Sequence, residues 1–193
     1  MSQRRKPFQR AFREARWTPL KSRRLPGSSP QMHAWLSDRG SLTRSVVANC
    51  PGRFAVYVVD QAHGAALPSE TDLLQAGAAQ AMLVREVRLT CDDSCWVFAR
   101  TLIPLRGLRG VAHGLTTLGR RPLGEVLFSD PTTRRLRVEV ARILPRHYLF
   151  HKATAHLRCL PMVLWGRRTL FQYGDSPILV NELFLPDLPR LSR

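Results

Sequence analysis

The chain has 193 residues, enough for one domain with its own core and too few for two of full size. With 44% apolar and 23% charged residues it reads as an ordinary folding globule. Its longest apolar runs, such as Phe54 to Val59 and Pro177 to Leu185, fall well short of the roughly 20 residues that cross a bilayer, which excludes a helical membrane span. The formal charge of +16 admits nucleic acid, anionic lipid or a small acidic molecule as partner. Only Lys6, Lys21 and Lys152 are lysine, so arginine supplies nearly all of the 30 basic residues. The pairs Arg4-Arg5, Arg23-Arg24, Arg120-Arg121, Arg134-Arg135 and Arg167-Arg168 are scattered, so no recognition helix and no specific nucleic-acid partner are expected.

In chain order, residues 1–30 form a basic lead that contains no apolar stretch of a secretory signal. It is expected to be a flexible tail ahead of a folded domain over 31–193, in a cytoplasmic protein. Ser29 and Pro30 are a cap and a first position for a short helix through Trp35 and Leu36, stopped at Gly40. Arg44 to Ala48 and Arg53 to Asp60 are β-branched runs around Cys50-Pro51-Gly52 and read as a hairpin. Ala81 to Thr90 and Cys95 to Pro104, joined at Asp92-Asp93-Ser94, read as a second one. From Gly107 to Phe128 the period is helical, broken at Gly119 and restarted at Pro122. Arg134 to Ile143 is a strand, and a last hairpin runs from Trp165 to Tyr173, turns at Gly174-Asp175-Ser176-Pro177 and returns through Ile178 to Leu185. The class is α+β, one domain, with a largely antiparallel sheet.

Strand side chains alternate between faces, and two charges fall on apolar ones. Ala81, Leu83, Arg85, Val87 and Leu89 share a face, as do Ile178, Val180, Glu182 and Phe184. An ionised group there is costly unless it is paired or liganded, so Arg85 and Glu182 either neutralise each other or wait for a ligand. Arg100, on the Trp96, Phe98 and Leu102 face, is a further interior cation or an edge residue.

The four cysteines, Cys50, Cys91, Cys95 and Cys159, make no zinc pattern, and free thiols are expected, although Cys91 and Cys95 bracket a turn. The six histidines accompany no nucleophile elbow, and no GxGxxG, Walker loop or HExxH is present.

Six blocks of the chain resemble, in order, the chorismate pyruvate-lyase family. They are Trp35-Leu36-Ser37-Asp38 with Ser41-Leu42-Thr43; Val84-Arg85-Glu86-Val87; Ala99-Arg100-Thr101 with Pro104; Leu118-Gly119 with Pro122-Leu123-Gly124 and Leu127-Phe128; Trp165-Gly166-Arg167-Arg168; and Glu182-Leu183-Phe184-Leu185-Pro186. The resemblance implies a six-stranded antiparallel sheet with helices and flaps over an internal ligand chamber. It implies an enzyme that splits chorismate into 4-hydroxybenzoate and pyruvate without metal or cofactor, at the start of bacterial ubiquinone synthesis; a monomer is expected. Arg85 matches the family's carboxylate-binding arginine and Glu182 its site glutamate, in an apolar chamber expected to raise its pKa. Leu42, where relatives can carry methionine, and Leu123 match positions whose main chain lines the chamber. The stretch from Pro145 to Pro161, with His147, His151 and His156, is longer than the family pattern. The alternative reading is a ligand-binding domain without catalysis, as in the effector domains of transcription regulators of similar fold.

Overall fold

A computed structural model of the chain describes residues 12–20, 25–77, 80–107 and 110–191. The strands are β1 (Thr18–Pro19), β2 (Phe54–Gly64), β3 (Met82–Cys91), β4 (Ser94–Pro104), β5 (Arg134–Ile143), β6 (Leu164–Tyr173) and β7 (Ser176–Phe184). They form one seven-stranded sheet in the order β1-β5-β6-β7-β4-β3-β2, with every neighbouring pair antiparallel. The family resemblance implies six strands, and the sheet has seven. The seventh, β1, is two residues long, too short for any hydrophobic period to reveal.

Helices cover both faces. On one side lie α1 (Pro30–Ser37), α2 (Leu42–Asn49), a 3-10 turn over Gly110–Thr117 and α4 (Leu123–Ser129); on the other lie α3 (Pro68–Leu73) and α5 (Tyr148–Thr154). α1 starts as its residues dictate, with Ser29 Oγ accepting from Met32 N at 3.1 Å and Pro30 in the first turn. The expected strand over Arg44 to Ala48 is instead α2. Ser41 Oγ accepts from Arg44 N at 3.4 Å, and Leu42, Thr43 and Val46 are buried while Val47 is 48% exposed. That burial has the period of a helix, so a cap and a core-facing stripe override the β-branched pair Val46-Val47. The turn after it therefore joins a helix to β2 and makes no hairpin.

The folded domain also reaches back before residue 31. Thr18 and Pro19 pair with Val140 and Glu139, Ala15 is buried, and Phe12 and Trp17 pack against the core. Residues 1–11 and 21–24 of the basic lead lie outside the described residues. Two cysteines expected as thiols are joined instead: Cys50 at the C-terminal end of α2 and Cys91 at the end of β3 form a disulfide, while Cys95 is a free, buried thiol. Phe54 stands opposite Cys91 in the β2–β3 ladder, and the short turn before Phe54 carries Cys50 back over that end.

Candidate active site

Arg85 stands on β3 between Leu83 and Val87 and is 3% exposed. Its Nη2 donates to the carbonyls of Gly119 at 2.9 Å and Arg121 at 3.2 Å. Gly119 adopts a left-handed φ of +53°, open to glycine at no steric cost, and that turn brings both carbonyls down onto the guanidinium. No carboxylate pairs with Arg85 among the described residues, and its Nη1 is buried without an acceptor. Burial pushes its pKa below the ordinary value. A desolvated cation with an idle donor is an incomplete site for an anion.

Glu182 stands on β7, facing the same side, but it neither pairs with Arg85 nor stands alone. Its Oε2 accepts from Arg167 Nε on neighbouring β6 at 2.6 Å. This corrects the expectation of a lone carboxyl in an apolar chamber. Arg167, 2% exposed, also donates through Nη1 to the carbonyls of Trp35 at 3.1 Å and Asp38 at 2.7 Å. Close by, Arg135 donates to the carbonyls of Arg39 at 2.8 Å and Gly40 at 3.2 Å, its guanidinium 5.6 Å from the Phe128 ring and 5.4 Å from Phe171. It ties the turn between α1 and α2 to α4.

Arg85 and Glu182 line one pocket, separated by two strand spacings and two residues of rise, about 12 Å between Cα atoms. Its floor is Val87, Ala99, Thr101 and Val180; Leu123, Leu127 and Phe128 of the cover close over it. It contains about 580 Å³ of space free of atoms, part of it open to solvent. Leu42 and Leu123 both line it, each at the first position of a helix whose leading N–H groups have no intrahelical acceptor. The two helix starts meet closely at Gly124, where a Cβ would stand 3.0 Å from both Ser41 Oγ and Thr43 Oγ1.

All four site residues expected from sequence thus come together. Arg100 does not join them. It lies on the reverse face, paired with Glu70 and Glu86. The histidines at 147, 151 and 156 belong to α5 and its surroundings, also away from the pocket. Arg167 and Arg135 were not singled out as site residues. Alternation through Trp165, Arg167, Thr169 and Phe171 would have shown Arg167 on an apolar face beside β7. Among the described residues no three His, Cys, Asp or Glu side chains are grouped so that they could hold a metal ion.

A protein of Nitrosomonas europaea named "Probable chorismate pyruvate-lyase" is 38% identical over 174 residues, covering 90% of this chain and 97% of that one. One of the same name from Azoarcus sp. is 41% identical over 160 residues, covering 81% and 84%. Among solved structures, the effector domain of PhnF from Mycobacterium smegmatis matches with a TM-score of 0.53 at 16% identity, over 77% of this chain and 90% of that one. The C-terminal domain of the histidine utilization repressor from Pseudomonas syringae matches with a TM-score of 0.53 at 14% identity, over 73% and 97%. These two share the fold. The family profile described as "Chorismate lyase" matches residues 11–192, and the chain belongs to the chorismate lyase family.

Proposed function

We propose that the protein converts chorismate to 4-hydroxybenzoate and pyruvate in the pocket between Arg85 and Glu182. The observation that carries this reading is the unpaired, buried Arg85 at one end of an apolar slot, with the Arg167–Glu182 pair at the other. A flat ring bearing a carboxylate and, para to it, a hydroxyl has the same polarity: charge at one end, a hydrogen-bonding group at the other, apolar faces between.

In this reading the ring carboxylate meets the idle Nη1 of Arg85, and the helix-start N–H groups at Leu42 and Leu123 add donors to the substrate's anionic groups. Glu182, oriented by Arg167, faces the ring carbon that bears the hydroxyl. The C–H bond there breaks and its electron pair enters the ring; the neighbouring C–O bond breaks and its pair leaves with the enolpyruvyl oxygen. The proton passes by way of Glu182 to the enol carbon, giving pyruvate. Aromatisation drives the step, so no electron sink is needed, and closure of the cover into an internal chamber keeps water out. The reading carries with it a monomeric, cofactor-independent, cytoplasmic enzyme at the first committed step of ubiquinone synthesis.

The fold shared with regulator effector domains favours a second reading, a pocket that holds its ligand without reacting it. One assay separates the two. The purified protein, given chorismate in the presence of EDTA, is expected to produce 4-hydroxybenzoate absorbance and pyruvate in equal amounts. Binding without product would support the second reading.

A further inference from the structure

On the reverse of the sheet, one line of residues runs across five strands. Glu86 of β3 stands opposite Arg100 of β4, Arg100 opposite Asn181 of β7, Asn181 opposite Arg168 of β6, and Arg168 opposite Glu139 of β5. None of the five is more than 6% exposed. They are bonded along the line and from the helices above it. Arg100 Nη1 donates to Glu86 Oε1 at 2.8 Å, and Arg168 Nε to Glu139 Oε2 at 2.6 Å. Glu70 of α3 accepts from Arg100 Nε at 3.1 Å and from Asn181 Nδ2 at 2.9 Å, while Lys152 of α5 reaches Glu86 at 2.6 Å.

Four members of this row are bonded through the backbone to a residue at the pocket or beside it. Glu86 follows Arg85, Arg100 lies between Ala99 and Thr101, Asn181 precedes Glu182, and Arg168 follows Arg167. A one-residue slip of β3 or of β7 against β4 would turn that strand's row charge or amide into the pocket and Arg85 or Glu182 out of it. Buried ion pairs are weak stabilisers, often replaceable by apolar residues at no loss, whereas they are well suited to fixing register. A family of apolar contacts would bury this face as well, yet would leave the register less sharply specified.

We propose that the buried row Glu86–Arg100–Asn181 sets the span between Arg85 and Glu182, which makes these three positioning residues for the site in front of them. The proposal rests on the chorismate lyase reading of the pocket, because that reading gives the span its meaning. An aromatic acid held at both ends measures the span; one held at a single end does not.

The test therefore compares the Kd of benzoate, which engages the Arg85 end alone, with that of 4-hydroxybenzoate, which engages both ends. The parent is expected to bind both and to prefer the hydroxylated acid. In Asn181→Leu, which keeps the branching at Cγ and every ion pair while adding some bulk, and in Glu86→Leu, which leaves Arg100 neutralised by Glu70, that preference is expected to fall about tenfold while benzoate affinity stays within about two-fold. Equal weakening of both acids would show general loosening and overturn the proposal, as would an unchanged preference. Asn181→Ser removes the bond to Glu70 at a smaller structural cost and must lower the preference too if the leucine variants fail to fold. A parent that binds neither acid removes the chorismate reading itself, and with it the span; a parent that binds both with variants that match it removes only the row's role.

Discussion

Arg167 holds Glu182 through a 2.6 Å bond from Nε to Oε2, and the same guanidinium caps the carbonyls of Trp35 and Asp38. One cation therefore fixes the acidic end of the pocket and anchors the segment that leads from α1 into α2. Removing one partner of a buried pair strands the other, which typically costs about 3–5 kcal/mol. Arg167→Met is expected to lose stability of that order, measured as a fall in the urea midpoint at unchanged slope. A loss under about 1 kcal/mol would mean that solvent reaches Glu182 freely enough to replace the arginine.

Arg85 makes two bonds to backbone carbonyls and none to an anion among the described residues, so its charge is unmatched there. A saturating aromatic carboxylate is therefore expected to stabilise the parent; at a hundred times its Kd the linkage is about 2.7 kcal/mol. Arg85→Ala should lose roughly 2–5 kcal/mol of affinity for chorismate and 4-hydroxybenzoate, and with it most of the ligand-induced rise in Tm. Unchanged affinity in a folded variant would take Arg85 out of the site.

How much of this was legible in the sequence follows from what alternation can and cannot encode. β3, β4, β5 and the β6–β7 hairpin stood out because each is long enough for alternation and turn residues to agree, and Arg85 stood out as the one cation on an aliphatic face. Leu42 and Leu123 came from resemblance alone, since a main-chain contact leaves no side-chain signature. α2 was misread because five residues around Val46-Val47 suit a strand as well as a helix until the cap at Ser41 is weighed. The Cys50–Cys91 disulfide depends on the β2–β3 register, a long-range fact that spacing does not carry. The partner of Glu182 was missed for the same reason: Arg167 is opposite it only because β6 and β7 pair in that register.

That disulfide links residues 41 apart in sequence, tying the end of α2 to the end of β3. Closing a loop of this length restricts the unfolded chain enough to contribute roughly 4 kcal/mol in the chain-entropy description. Reduction, or the pair Cys50→Ser and Cys91→Ser, is expected to lower the unfolding free energy by an amount of that order. Equal stability of oxidised and reduced protein by denaturant titration would show that the packing of α2 alone holds that corner.

His147 introduces a pH dependence. Its Nδ1 accepts from Leu144 N at 3.0 Å in a buried position, and its pKa is pushed down by desolvation and, secondarily, by Arg146. The unfolded chain then binds a proton more readily than the folded one, so stability is fully present above the ordinary histidine value of about 6.5 and is lost as pH falls below it. Urea midpoints are expected to decline between pH 7.5 and 5.5. His147→Asn, which retains an acceptor for Leu144, should flatten that decline without abolishing it, because His156 is depressed as well, first by burial and then by Arg88. A midpoint independent of pH over this interval would contradict both assignments.

The strongest test of the chemistry is Glu182→Gln. The amide retains the shape and can still accept from Arg167 Nε, so the acidic end of the pocket keeps its geometry while losing the ability to take and return a proton. General acid–base groups contribute about 10² to 10⁴ in rate, and turnover of chorismate is expected to fall by that factor while affinity for 4-hydroxybenzoate changes only a few-fold. If Glu182 serves only to accept the hydrogen bond of the product hydroxyl, the result is reversed: affinity falls and turnover largely survives. The two outcomes are separated by measuring kcat under saturating chorismate and product Kd on the same preparation. A glutamine variant with the parent's kcat would leave orientation between Arg85 and the cover as the source of the rate, with the ring proton passing directly to the departing enolpyruvyl carbon.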